Sequence, residues 1–374
     1  MKIVSINRAA VNHVDITQFD ESHAREVLKF HSTFPQYAPT PLHSLKNLAR
    51  SIGIKNLLIK DESYRFGLNA FKVLGSSYAV ARILSARLQS RLQSFAELIA
   101  GRLEPHSMTF ATTTDGNHGR GLAWTANQLR QNSVVYMPRG TKSERLENIR
   151  RENSDASIVD MNYDDAVRFM RRQSEANGWI LVQDTTLPGY VGVPRLIMQG
   201  YLTMALETYR QLPEKPTHIF LQAGVGSMAG AVSAFFANVY GESRPRVIVV
   251  EPNDADCIYQ TALANDGALH STKGALNTMM AGLACGEPCS IAWELLSATA
   301  DFALTCGDEI SANGMSILAH PRGNDDKIIS GESGAVSAGL TFELMTDENY
   351  SAIRDKLGLN ENSVVLCFST EGCI

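Results

Sequence analysis

One lysine, Lys72, lies inside "NAFKVLGSSYA" (residues 69–79), a run of small and apolar side chains that follows the charged stretch Lys60-Asp61-Glu62. Lysine is rarely buried without a partner, because taking an ammonium out of water is costly. Two readings follow. Either the residue sits on a helix surface with its head in water, or its amine is kept reactive for Schiff-base chemistry with a carbonyl group. Lys72 alone does not decide between them.

Two turns carry further chemistry. Ala223-Gly224-Val225-Gly226-Ser227-Met228-Ala229-Gly230 joins the apolar run "HIFLQ" to a helix-like segment. Glycines let a backbone approach an anion, and the N–H groups of a first helical turn can hold a phosphate. Packing glycines are one competing reading and a dinucleotide site is another, with Glu251 standing about where a ribose-binding acid would be. The spacing is G-x-G-x-x-x-G, however, which departs from the dinucleotide fingerprint. The second turn, Thr112-Thr113-Thr114-Asp115-Gly116-Asn117-His118-Gly119, holds more polarity than a chain reversal needs. Its hydroxyls, Thr113 and Thr114 among them, and its N–H groups can bind a carboxylate, and Asn117 can donate to a phenolate-like oxygen. His118 by itself reads as a packing residue of the next helix.

These residues need a frame to hold them. From Met108 onward, the strand-like runs "MTFATT", "SVVYMP", "ASIVDM" and "WILVQD" alternate with helix-like "GRGLAWTANQL", "KSERLENIRR" and "DDAVRFMRRQSEAN". The series resumes with "HIFLQAG", "SMAGAVSAFFANVYG" and "RVIVVEP", and a last strand is "SVVLCFST". Such βαβ alternation implies an α/β fold with mostly parallel sheets flanked by helices. Phe71 to Arg102 reads as one long helix with Val73, Tyr78, Leu84, Leu88 and Leu92 near one stripe and Lys72 in its first turn.

Composition narrows the function. A chain of 374 residues, 44% hydrophobic, can bury one large core or two joined ones. Net charge is −5 without long blocks of like charge, so the footprint of a nucleic-acid binder is missing. The first residues break their apolar character with Asn7, Arg8, Asn12, His13 and Asp15, which fits neither a signal peptide nor a spanning helix. A cytoplasmic protein with no membrane partner is expected. The six cysteines, Cys257 to Cys373, read as reduced thiols, and the Cys285/Cys289 pair lacks companions at zinc spacing, so no metal is expected.

A lysine at a helix start, an Asn-Gly turn and a glycine loop, in that order, resemble the tryptophan synthase β-like enzymes, the second fold type of pyridoxal-phosphate proteins, over roughly Pro39 to Gly372. In finer detail "NAFKVLG", "TTTDGNHGRGLAW", "VQDTT" followed by "GY", "QAGVGSMAG", "VVEP", "ESGAV" and "STEG" resemble the diaminopropionate ammonia-lyases. Serine and threonine dehydratases of the same fold typically carry a small residue in place of Asp115. The resemblance implies two domains, a large cofactor-binding one of residues 1–84 and 190–374 and a small one of 85–189 with the Asn-Gly turn. It implies that Lys72 binds pyridoxal phosphate as a Schiff base, that Phe71 lies beside the ring, and that Asn117 contacts the ring hydroxyl. Gly224, Val225, Gly226, Ser227 and Met228 would hold the phosphate, and Ser369 or Thr370 the ring nitrogen.

The implied reaction is α,β-elimination from D- or L-2,3-diaminopropionate to pyruvate and two ammonia by a homodimer. Thr113, Thr114 and Asp115 would face the substrate, with Asp115 as the base for one enantiomer and Asp184 or Lys72 for the other. Read alone, Asp184 is also an ordinary acid at a strand end. Alternatives are a threonine/serine dehydratase-like lyase or β-replacement synthase, a catalytically impaired cofactor-binding homologue, and a nicotinamide-dependent oxidoreductase. The family normally continues "STEGDTD" where this chain reads Glu371-Gly372-Cys373-Ile374, so the resemblance departs near the expected ring-nitrogen contact.

Overall fold

Eleven strands form among the described residues of the computed structural model, which describes residues 1–7, 14–91, 94–100 and 103–373. In chain order they are β1 (Lys2–Ser5), β2 (Leu42–Ser44), β3 (Asn56–Asp61), β4 (Thr109–Thr113), β5 (Asn132–Met137) and β6 (Asp155–Ile158). β7 (Ile180–Leu181), β8 (His218–Gln222), β9 (Arg246–Pro252), β10 (Phe302–Cys306) and β11 (Val364–Ser369) follow. Among the described residues no helix is long and apolar enough to cross a membrane.

The chain divides into two compact units, one of Met1–Glu21, Pro39–Ala70 and Met204–Ile374, the other of Ser22–Ala38 and Phe71–Thr203. The first holds a seven-stranded sheet of order β1-β10-β9-β8-β11-β3-β2. Its two edge pairs, β1 with β10 and β2 with β3, are antiparallel, and all inner pairs are parallel. Inner strands of a parallel sheet are covered on both faces, which is why β8, β9 and β11 read as unbroken apolar runs. Phe220, Ile248, Val250, Leu304 and Val365 join Leu57 and Ile59 in one buried cluster with Val336 and Leu340 of the Glu332–Thr346 helix.

The second unit holds a parallel sheet of order β6-β5-β4-β7. Strand alternation divides its side chains between two faces. Val135 packs with Ala123, Leu146 and Ile149 on one face, and Val134 with Ala111 and Met170 on the other. Around Val73–Arg87 the helices approach closely because glycines leave no side chain between them. A Cβ on Gly75 would stand 2.6 Å from Ile197 Cγ2, and one on Gly200 would stand 2.4 Å from Leu74 O. A Cβ on Gly121 would meet the Val73 backbone at 2.8 Å. This packing groups residues 71–84 and 190–203 with the four-stranded sheet, whereas the sequence expectation set them in the larger domain.

Two expected elements differ. The long helix from Phe71 is instead Val73–Arg87, with Lys72 just before it, and a separate helix Phe95–Ala100. The break has a local cause: Gln89 turns at φ 50°, and Ser94 and Glu97 form a reciprocal cap, Ser94 N donating to Glu97 Oε2 at 2.7 Å and Glu97 N to Ser94 Oγ at 3.3 Å. Leu92 and Arg102, expected on that helix, lie outside the described residues. The strand expected over "WILVQD" shrinks to Ile180–Leu181. There the Gln183 side chain replaces the ladder, accepting from Thr113 N at 2.9 Å and donating to Thr113 O at 3.1 Å, which frees the backbone to turn at Asp184.

Candidate active site

The close glycine packing fixes the residue just ahead of the Val73–Arg87 helix, and that residue is Lys72. Its Nζ lies 2.6 Å from Asp184 Oδ2, and the two side chains are 18% and 4% exposed. Burial disfavours the ammonium, but the Asp184 carboxylate, then Tyr201 and then Asp115 together more than offset it, and Lys72 is held well above the ordinary lysine value. Burial likewise works against the Asp184 charge, and Lys72 overcomes it, holding that carboxyl well below the usual carboxylate range. The other oxygen, Asp184 Oδ1, accepts from Tyr163 OH and from Gln183 Nε2, each at 3.2 Å. Phe71 is buried beside Tyr201, ring centroids 4.8 Å apart, with Lys72 Nζ 5.9 Å from the Phe71 centroid.

The polar turn between β4 and the Asn117–Gln128 helix is built by its own threonines. Thr114 Oγ1 accepts from Gly116 N at 2.9 Å and Gly119 N at 3.1 Å, and Thr113 Oγ1 donates to Ala166 O at 3.1 Å. Both hydroxyls expected at the substrate are thus engaged within the fold and buried. Asp115 is half-buried and pairs with Arg145 Nη1 at 3.4 Å. Arg145 reaches it over Gly116, where a Cβ would stand 3.2 Å from that same nitrogen. Asn117 opens the helix, half-buried. His118 is 1% exposed and donates through Nε2 to Val182 O at 2.7 Å. Burial depresses its basicity, and its Nδ1 has no hydrogen-bond partner among the described residues.

The larger unit carries the glycine loop. β8 ends at Gln222, and the Ser227–Tyr240 helix starts after Gly226, which takes φ +93°, a left-handed conformation that favours glycine. A Cβ on Gly224 would stand 3.0 Å from both Cys285 Sγ and Gly282 O, so the loop packs too closely on residues 282–285 to admit a side chain there. The first N–H groups of the helix have no partners within it, and its dipole favours an anion there. Val225, Ser227 and Met228 are buried. Glu251, the acid of the dinucleotide alternative, is fully buried and accepts from Ile258 N at 2.8 Å and Tyr259 N at 2.7 Å, so it caps a helix. Ser369 and Thr370, at the end of β11, are buried in the same unit.

Arg145, Tyr163, Gln183 and Gln222 escaped the sequence reading as site residues. Arg145 and Tyr163 look like any polar residues of amphipathic helices, and Gln183 appears in the motif "VQDTT" without a role of its own.

A model of the pyridoxal-phosphate dependent enzyme family matches residues 33–357. The diaminopropionate ammonia-lyase of Salmonella typhimurium is 48% identical over 356 residues, 93% of this chain and 88% of that one. The crystal structure of diaminopropionate ammonia lyase from Escherichia coli in complex with D-serine superposes with a TM-score of 0.92 at 44% identity, covering 99% of this chain and 94% of that one. A processed threonine deaminase isoform 2 from Solanum lycopersicum, at 18% identity and a TM-score of 0.70, shares the fold.

Proposed function

The chain belongs to the diaminopropionate ammonia-lyase family of pyridoxal-phosphate-dependent enzymes, and from that premise we propose that it converts 2,3-diaminopropionate and water to pyruvate and two ammonia. The observation that carries this reading is one buried lysine ammonium on which two carboxylates act, Asp184 in contact and Asp115 at longer range.

The residues present fit the cofactor. The left-handed turn at Gly226, opening onto the N-terminus of the Ser227–Tyr240 helix, suits a phosphate, and Lys72 is an amine with a buried counter-charge. Lys72 would hold the aldehyde carbon, Phe71 would lie beside the ring, and Asn117 would contact the ring hydroxyl. Gly224 to Met228 would hold the phosphate, and Ser369 or Thr370 the ring nitrogen. When bound, pyridoxal phosphate withdraws electrons from the substrate Cα and so lowers the cost of removing its proton.

Asp115 takes the Cα proton of one enantiomer, and its charge keeps the β-amine protonated so that it departs as ammonia. The Cα proton of the other enantiomer points to the opposite face, where Asp184 or Lys72 serves as base. Tyr163 and Gln183 fix the rotation of the Asp184 carboxylate by donating to its second oxygen. Thr113 and Thr114 form the turn that presents Asp115. The proposal extends to a cytoplasmic homodimer, which cell fractionation and light scattering check.

Borohydride reduction of the loaded enzyme followed by peptide mapping tests the assignment. The label is expected on Lys72, and Lys72→Ala should abolish turnover. Label on a different lysine would overturn the reading.

A further inference from the structure

Two neighbouring hydroxyls at the end of β11, Ser369 and Thr370, are candidates for the same contact, the ring nitrogen of the cofactor. Ser369 is the last residue of β11 and Thr370 follows it, and the two hydroxyls have different partners. Ser369 Oγ donates to Ser330 Oγ at 2.8 Å and is fully buried. Its proton is in use.

Thr370 is held by Gln222, the last residue of β8. Gln222 Nε2 stands 2.8 Å from Phe368 O and 3.1 Å from Thr370 Oγ1, while Gln222 Oε1 accepts from Ser337 Oγ at 3.1 Å. A backbone carbonyl can only accept, so the contact with Phe368 O fixes which end of the amide carries the hydrogens. One amide hydrogen goes to Phe368 O, and the other goes to Thr370 Oγ1. The Thr370 oxygen is therefore an acceptor toward Gln222, and its own O–H must be directed elsewhere, as a donor. Gln222 is also the residue from which the chain enters the glycine loop, two positions before Gly224.

We propose that Gln222 is a positioning residue that fixes Thr370, and not Ser369, as the hydrogen-bond donor to the ring nitrogen. The proposal rests on the reading of the Gly224 loop as the phosphate site of pyridoxal phosphate. A threonine hydroxyl donates a hydrogen bond without giving up its proton, so the ring nitrogen accepts and stays uncharged. Ser337 closes the relay by holding the far end of the amide.

The test is reconstitution of the cofactor-free enzyme by titration with pyridoxal phosphate, reading the dissociation constant and the position of the visible absorption band, with melting temperature recorded for each variant. Thr370→Val and Gln222→Met are each expected to weaken cofactor affinity about two- to ten-fold, the range for one net hydrogen bond, and to move the band in the same direction. The double variant is expected to match Thr370→Val alone within about two-fold, because Gln222 acts through Thr370. Thr370→Ser should restore affinity and band together. Should Gln222→Met fail to fold, Ser337→Ala releases the amide oxygen and is expected to shift the band the same way by a smaller amount. Multiplying effects in the double variant, or a band moved by Ser369→Ala and not by Thr370→Val, would overturn the proposal. A wild-type chain that takes up no cofactor would instead overturn the reading on which it rests.

Discussion

Replacing Asp184 by asparagine in the cofactor-free protein exchanges one carboxylate oxygen for an NH2 group and should lower stability substantially. The carboxylate accepts at both ends, from Lys72 Nζ at 2.6 Å on one side and from Tyr163 OH and Gln183 Nε2 at 3.2 Å on the other. An amide accepts at only one end. Whichever way the new amide is turned, its NH2 faces donors, either the Lys72 ammonium or the Tyr163 and Gln183 groups. Removing one partner of a buried ion pair costs about 3–5 kcal/mol, and the partial exposure of Lys72 points to the lower end, about 3. For a unit of ~150 residues each kcal/mol moves the melting temperature by roughly 2–4 °C, so a fall of about 6–12 °C is expected at neutral pH.

Asp184 is held below its ordinary value, so its share of the stability is present above about pH 4 and fades as the pH falls through the depressed value. Lys72 is held above its own, so its share is present below about pH 10 and fades only as the pH rises through the raised value. The difference between wild type and variant should thus be level from about pH 5 to about pH 9. Calorimetry across that window measures it. A fall under about 2 °C, or a difference that changes between pH 6 and 9, would refute the argument.

Asp115→Asn should depress elimination from D-2,3-diaminopropionate by at least ~10²-fold, the low end for a lost general base, and affect the L form less. Pyruvate release from each enantiomer reports it, and equal loss on both would assign Asp115 to the shared β-ammonium. Gly226→Ala puts a side chain at φ +93° and a Cβ 3.1 Å from Ile258 Cδ1; it should cost about 1–2 kcal/mol in urea denaturation and weaken cofactor binding as well. Lys60→Met removes a fully buried ammonium that donates to Thr40 O, Glu207 Oε2 and Gln211 Oε1 at 2.7, 3.0 and 2.9 Å. Glu207 keeps Arg65 on both oxygens, so a loss of about 1–3 kcal/mol, that of unsatisfied buried acceptors, is expected from the same denaturation measurement.

The parallel sheets were legible because strand and helix periods differ and alternate along the chain. The break after Arg87 escaped because the apolar stripe continues beyond it, although the Ser94/Glu97 spacing is a recognisable capping signature. The shortened β7 was not legible at all: its ladder is completed by the Gln183 side chain reaching 70 residues back to Thr113, a tertiary event. The same holds at the site. Lys72 and Asp115 stood out by type and order and Asp184 only through the family resemblance, while their setting did not, since Arg145 meets Asp115 across 30 residues and Gln222 meets Thr370 across 148. Spacing reveals the groups that could react, and only packing reveals what holds them.

The place of β11 between β8 and β3 has a consequence for how the molecule is made. β3 and β8 do not pair with each other; each pairs with β11. A growing chain that has passed Cys306 but not yet Val364 holds β2–β3 and β1-β10-β9-β8 as two sheet fragments with open edges, a state prone to wrong pairing. Residues 71–203, by contrast, form one continuous stretch that has already been synthesised by then. The glycine loop leaves from the end of β8, at that open edge. Arrival of β11 thus joins the two fragments into one sheet, and a chain cut before Val364 is expected to leave both edges unpaired.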